Sequence, residues 1–269
     1  ICLTANDDIP LRDFEFELTP PKISKDNPFP KIITIPTTAG TGAETEITAM
    51  VTYLEEGMKF CMWHPDARPV LALVDPELTL KLPASLTAWT GVDALVHAIE
   101  GYCVPGFHPL CDGSAIESLS LISKSLYQAV EEPNNLVARG GMHVGSYLGG
   151  IAFLKGLGLV HAISHMVGAE FNTQHGLTNA IILPVVLKYN LSGMDEKVKR
   201  MSEAMQFENH SVDAFISNIE KMLDRLNIPK SLSEIGVPED CFERIAKKAM
   251  KDQAYATNPK IATLEEVKE

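Results

Sequence analysis

The chain has 269 residues, 45% hydrophobic and 22% charged, the balance of an ordinary globular protein with room for two domains. A formal net charge of −12 without any Lys/Arg-rich run argues against nucleic acid or an anionic membrane surface as a partner. Five cysteines (Cys2, Cys61, Cys103, Cys111, Cys241) form no Cys-x-x-Cys pair and suit free thiols in a reducing, cytoplasmic setting.

The chain opens on Ile1 with no secretory leader and reads as though cut into mid-domain. Ile32–Ile35 is a short β-branched run, and Val70–Val74 is a continuous apolar run ending at Asp75-Pro76. Both predict short strands of a largely buried sheet. Between them, Ala49–Tyr53 and Lys59–Trp63 flank Glu55-Glu56-Gly57, the pattern of a hairpin. From Pro83 onward the periodicity is helical. Helices are expected near 84–102, 112–131, 134–154, 159–170, 176–189, 194–206, 211–227 and 238–252. Pro184 should kink the fifth, and Pro238 should sit in the first turn of the last. The longest apolar region, Val144–Val167, is broken by Lys155, two histidines and several glycines, so no membrane span is expected. The expected architecture is an α/β segment, residues 1–83, followed by an all-α domain, residues 84–269.

Two charge-poor stretches carry the chemistry. Ser85–Ile99 contains Asp93 as its only charged residue, with His97 one helical turn on. Between Lys155 and Lys188 the only charge is Glu170, yet this stretch holds His161, His165 and His175. Helices poor in charge on every side are buried, and a buried carboxylate is too costly to keep ionised without a partner. A hydrogen-bonded core histidine would explain either Asp-His or His-His pair alone. One carboxylate and several imidazoles in apolar surroundings together point to a divalent metal.

Other features are weaker. Pro36–Glu44 follows a strand and is rich in Thr and Gly, which lets backbone amides and hydroxyls approach a phosphate or ribose, although a plain turn uses the same residues. It lacks the full Gly-x-Gly-x-x-Gly and any Walker lysine. Gly156-Leu157-Gly158 reads as a helix start or close-packing point. His64, His108 and His210 read as loop or cap residues, His143 as a satisfied core or interface group, and the cysteines as structural.

Taken together, Ile35–Glu44, Gly91–Glu100, Gly158–His165 and Asn172–Ala180 closely resemble the iron-containing (group III) alcohol dehydrogenases, the group of lactaldehyde reductase and propanediol dehydrogenase; Thr257-Asn258-Pro259 resembles that family's C-terminal region. The match runs in order from about Lys31 to near the end. The resemblance implies an α/β dinucleotide-binding domain, a helical metal domain and a site in the cleft between them, a fold shared with dehydroquinate synthases. It maps metal ligands onto Asp93, His97, His161 and His175, and a nicotinamide-side histidine onto His165. Thr37, Thr38, Thr41 and Lys59 map onto cofactor contacts, while Ala43 stands where many relatives have Ser. The implied cofactors are Fe(II), with Zn(II) also compatible, and NAD or NADP. The implied partners are a small alcohol or aldehyde and a second copy in a homodimer. Nothing matches the family's Gly-Gly-Gly-Ser pyrophosphate loop or its NAD/NADP-selecting residue, so the chain is expected to be the C-terminal portion of a longer enzyme. Two other readings stand beside this one: a dehydroquinate synthase-like lyase, which would need Lys and Arg around its substrate, and a metal-binding domain without catalysis.

Overall fold

The computed structural model describes residues 8–269; Cys2 lies outside them. The strand region forms two small sheets rather than one. β1 (Ile33–Thr34) and β4 (Leu71–Ala72) pair in parallel, Ile33 opposite Leu71. β2 (Thr48–Tyr53) and β3 (Met58–Trp63) form the expected antiparallel hairpin, and its turn places Gly57 at φ 57°. Phe14, Phe29 and Met62 make a small core against the hairpin. The expectation of a buried sheet fails at β1 and β4: Ile33 is 58% and Leu71 52% exposed. A continuous apolar run signals burial only if another layer covers it, and among the described residues no such layer lies over this pair.

Helices follow from Pro83, which precedes α1 (Ala84–Cys103). They continue as α2 (Pro109–Glu131), α3 (Leu136–Ala152), α4 (Leu159–Phe171), α5 (His175–Asn190), α6 (Asp195–Ala204) and α7 (Val212–Arg225). α5 runs unbroken through Pro184. The single helix expected over 238–252 is shorter. A 3-10 turn, Glu239–Cys241, leads into α8 (Phe242–Ala249), and Asp252 caps a separate one-turn helix, α9 (Gln253–Ala256), ahead of α10 (Leu264–Lys268). The Asp252 side chain accepts from Ala254 N and so starts a new turn where helical periodicity continues.

α1 is the axis of the main core. Every residue from Gly91 to Cys103 is buried, as its lack of charge predicts, and α2, α3 and α5 pack around it. Its C-terminal carbonyls are met by two lysines: Lys197 Nζ donates to Tyr102 O at 2.6 Å and Lys155 Nζ at 3.2 Å, which suits the negative end of the helix dipole. His64, His108 and His210 do behave as cap or loop residues. His64 and His108 accept backbone amides at helix starts, and His210 bonds Phe207 O. Cys61, Cys103, Cys111 and Cys241 are free and buried. No single helix among the described residues is long and apolar enough to cross a membrane.

Candidate metal centre

Three helices deliver the site. Asp93 and His97 come from the middle of α1, His161 from the first turn of α4 and His175 from the first residue of α5. The two helix starts are fixed from a distance. Around the α4 start, Val160 N donates to Glu100 Oε1 at 2.8 Å, Leu159 N to Asn258 Oδ1 at 3.0 Å, and Leu157 N to Thr257 Oγ1 at 3.1 Å, meeting amides that a helix start leaves unpaired. The start of α5 lies hard against α1: a Cβ on Gly176 would come within 2.2 Å of Trp89 O. Only glycine permits that approach, and it brings His175 to Asp93.

Asp93 is 3% exposed. Its Oδ1 lies 3.6 Å from His161 Nε2, 3.6 Å from His175 Nε2 and 3.8 Å from His97 Nε2. Metal–ligand bonds of about 2.0–2.2 Å in a tetrahedron put donor atoms roughly 3.3–3.6 Å apart. Each of the three imidazole nitrogens therefore stands from Asp93 at close to the separation that two ligands of one small divalent ion have. Asp93, His97 and His161 have mutually close donor atoms; His175 joins them through Asp93 and keeps 25% of its side chain exposed, leaving that side open.

Each imidazole is turned by what its other nitrogen meets. His97 Nδ1 faces Gly40 O at 3.2 Å, and His161 Nδ1 faces Glu100 Oε2 at 2.7 Å. Both bonds leave Nε2 pointing at Asp93, the usual way a second partner sets the tautomer of a metal-binding histidine. Gly40 reaches His97 because a side chain there would meet Thr90 O at 2.6 Å. Burial opposes ionisation of Asp93, but His97, His175 and His161 outweigh it and hold the carboxyl well below its usual range. Burial pulls His97 down to about 4 and His175 well below its ordinary value. His161 is raised to about 9, because its bonds to Asp93 and Glu100 overcome burial.

His165 sits beside the cluster, stacked on His175 at 5.4 Å between ring centroids. Its Nδ1 lies 2.9 Å from Asp252 Oδ2, both side chains buried. Thr37 and Thr41 are exposed and Thr38 half-buried, in the bend before Gly42. Lys59, on β3, is half-buried with its amine held down by burial, and it approaches Gly168 of α4. His143 departs from its expected role: it is 1% exposed, and neither ring nitrogen has a hydrogen-bond partner among the described residues.

Sequence reasoning missed four contributors. Glu100 lies one residue past the charge-poor stretch Ser85–Ile99, three residues after His97. Asn179 repeats the i,i+4 spacing from His175, and that spacing was the available signal. Asp252 lies 87 positions from His165 and nothing local marks it. The Gly40 carbonyl is a backbone atom, which no residue pattern advertises.

The C-terminal model of the Fe-containing alcohol dehydrogenase family matches residues 87–269, and the iron-containing alcohol dehydrogenase model matches residues 1–76. The chain belongs to the iron-containing alcohol dehydrogenase family. It is 37% identical over 252 residues to the NAD-dependent methanol dehydrogenase of Bacillus methanolicus, covering 91% of this chain and 66% of that protein. It is 36% identical over 249 residues to the 1,3-propanediol dehydrogenase of Klebsiella pneumoniae, covering 90% and 64%. A crystal structure of 1,3-propanediol oxidoreductase superposes with a TM-score of 0.86 at 36% identity, over 90% of this chain and 65% of that one. The chain thus spans just under two-thirds of these family members.

Proposed function

We propose that this chain forms part of an oxidoreductase interconverting a small alcohol and its aldehyde, with NAD or NADP as hydride carrier and one divalent ion held by Asp93, His97, His161 and His175. The observation that carries the reading is the buried Asp93 oxygen ringed by three imidazole Nε2 atoms at 3.6–3.8 Å. Fe(II) is the metal in the family's name, and the same donors accept Zn(II). An ion held there supplies a Lewis acid that makes an alcohol hydroxyl more acidic, and the nicotinamide supplies the hydride chemistry.

The remaining duties fall to the chain's own side chains. His165, its Nδ1 proton directed at Asp252, keeps Nε2 free to accept the hydroxyl proton and pass it toward solvent. Thr37, Thr38 and Thr41 offer hydroxyls, and Lys59 a cation, to the dinucleotide. The buried helices around Asp93 exclude water from all but the His175 side. Residues 1–83 then serve the cofactor and residues 84–269 the metal. A short aliphatic substrate is supported by relatives named for methanol, 1,3-propanediol and lactaldehyde. A cytoplasmic homodimer belongs to the same reading; the free buried thiols support the reducing compartment, and the dimer rests on the family resemblance.

A lyase of the dehydroquinate synthase kind is less well supported, since Glu100, Asn179 and Asp252, acidic or neutral, are the side chains bonded to the cluster and to His165. Loading the whole enzyme of which this chain forms part anaerobically with Fe(II) or Zn(II), adding NAD or NADP and following cofactor reduction across a panel of short alcohols and diols tests the proposal. Metal-dependent reduction is expected. A metal-loaded protein that binds cofactor but does not reduce it with any alcohol of the panel would remove the oxidoreductase reading; one that binds metal but no cofactor would favour the non-catalytic one.

A further inference from the structure

Asn179 lies on α5, one turn after His175, and is fully buried. Its Nδ2 donates to Asp93 Oδ1 at 2.7 Å and sits 3.2 Å from Nε2 of both His161 and His175. One amide group thus meets donor atoms from α1, α4 and α5. Its orientation is chemically fixed, since the reverse would set Oδ1 against a carboxylate oxygen, acceptor facing acceptor. Nδ2 itself offers a cation no lone pair, so it is not a fifth ligand.

The histidines differ in how they are held. His97 has Gly40 O, His161 has Glu100 and His165 has Asp252 at the second ring nitrogen. His175 Nδ1 is buried with no partner among the described residues. A metal-binding histidine is ordinarily oriented through that nitrogen. The hydrogen-bond partner that locates His175 is therefore the amide of Asn179, which also donates to the Asp93 carboxylate.

We propose that Asn179 is a positioning residue of the metal site, its amide tying Asp93 on α1 to His175 on α5 so that both donors face one point. The inference rests on the four-ligand reading above, and His161→Ala tests that reading separately. Competition with a chromophoric chelator gives Zn(II) affinity, and Co(II) substitution gives a visible spectrum that reports ligand geometry. Asn179→Ala should bind Zn(II) about 10–100-fold more weakly and show a displaced Co(II) spectrum, still at one ion per chain. A purely structural asparagine would lower the melting temperature of the metal-free protein and leave both readouts at wild-type values, and that result overturns the proposal. If Asn179→Ala does not fold, Asn179→Ser, a smaller change with a shorter donor, should shift both readouts in the same direction; wild-type values there overturn it equally. A wild-type protein that binds no ion, or a His161→Ala variant that binds as wild type does, sinks the four-ligand reading and this inference with it.

Discussion

Glu100 Oε2 lies 2.7 Å from Nδ1 of His161, while its other carboxylate oxygen takes the amide of Val160. One side chain thus anchors the start of α4 and turns the imidazole of His161 toward Asp93. Glu100→Gln retains the shape but only one of the two acceptors. It should weaken divalent-ion binding about 10–100-fold, read by chelator competition, with the helical content unchanged by circular dichroism. Wild-type affinity would show that His161 needs no such partner.

The His165–Asp252 pair separates proton handling from metal binding. Asp252→Asn should retain one ion per chain but lower turnover, because the amide no longer fixes the His165 tautomer. His165→Ala should do the same more severely. Loss of the ion in His165→Ala would make it a ligand and remove its proposed role.

Gly176→Ala puts a methyl where Trp89 O stands 2.2 Å away, against backbone that cannot yield. Forcing α5 off α1 should cost roughly 1–3 kcal/mol of stability, and it should loosen metal binding as well, because His175 is the next residue. A thermal melt and a metal titration of this variant check both. Unchanged values would mean that α5 is not held by that contact.

Glu46 is 8% exposed, and burial pushes its carboxyl up to about 7 despite hydrogen bonds from Thr45 and Thr48. Between its ordinary value of 4.5 and about 7 the folded protein keeps a proton that the unfolded chain releases. Stability therefore falls as pH rises through that window, by up to roughly 3 kcal/mol. Glu46→Gln, which carries no charge at any pH, should melt higher than wild type at pH 8 and close to it at pH 5. An equal difference at both would contradict the shift.

Much of this arrangement was legible in the residues. The i,i+4 spacing of Asp93 and His97 and the charge-poor run around them announced a buried polar face, and the structure brings His161 and His175 to the same carboxylate. Glu55-Glu56-Gly57 between Ala49–Tyr53 and Lys59–Trp63 announced the hairpin. What the sequence hid is non-local or conditional. Asp252 meets His165 only through the tertiary path of the chain, and Gly40 acts through its carbonyl. Ile33 and Leu71 look like core residues because hydrophobicity records a preference for burial, not whether a covering layer is present. The helix expected through residue 252 breaks because Asp252 spends its side chain capping the next turn.

The account stands on one claim, that Asp93, His97, His161 and His175 bind a single divalent ion. Metal analysis of purified wild type, His161→Ala and His175→Ala, each loaded with Fe(II) or Zn(II) and freed of excess, tests it most directly. One equivalent in wild type and a loss of most of it in both variants is the predicted result; stoichiometric metal retained in both variants would contradict it.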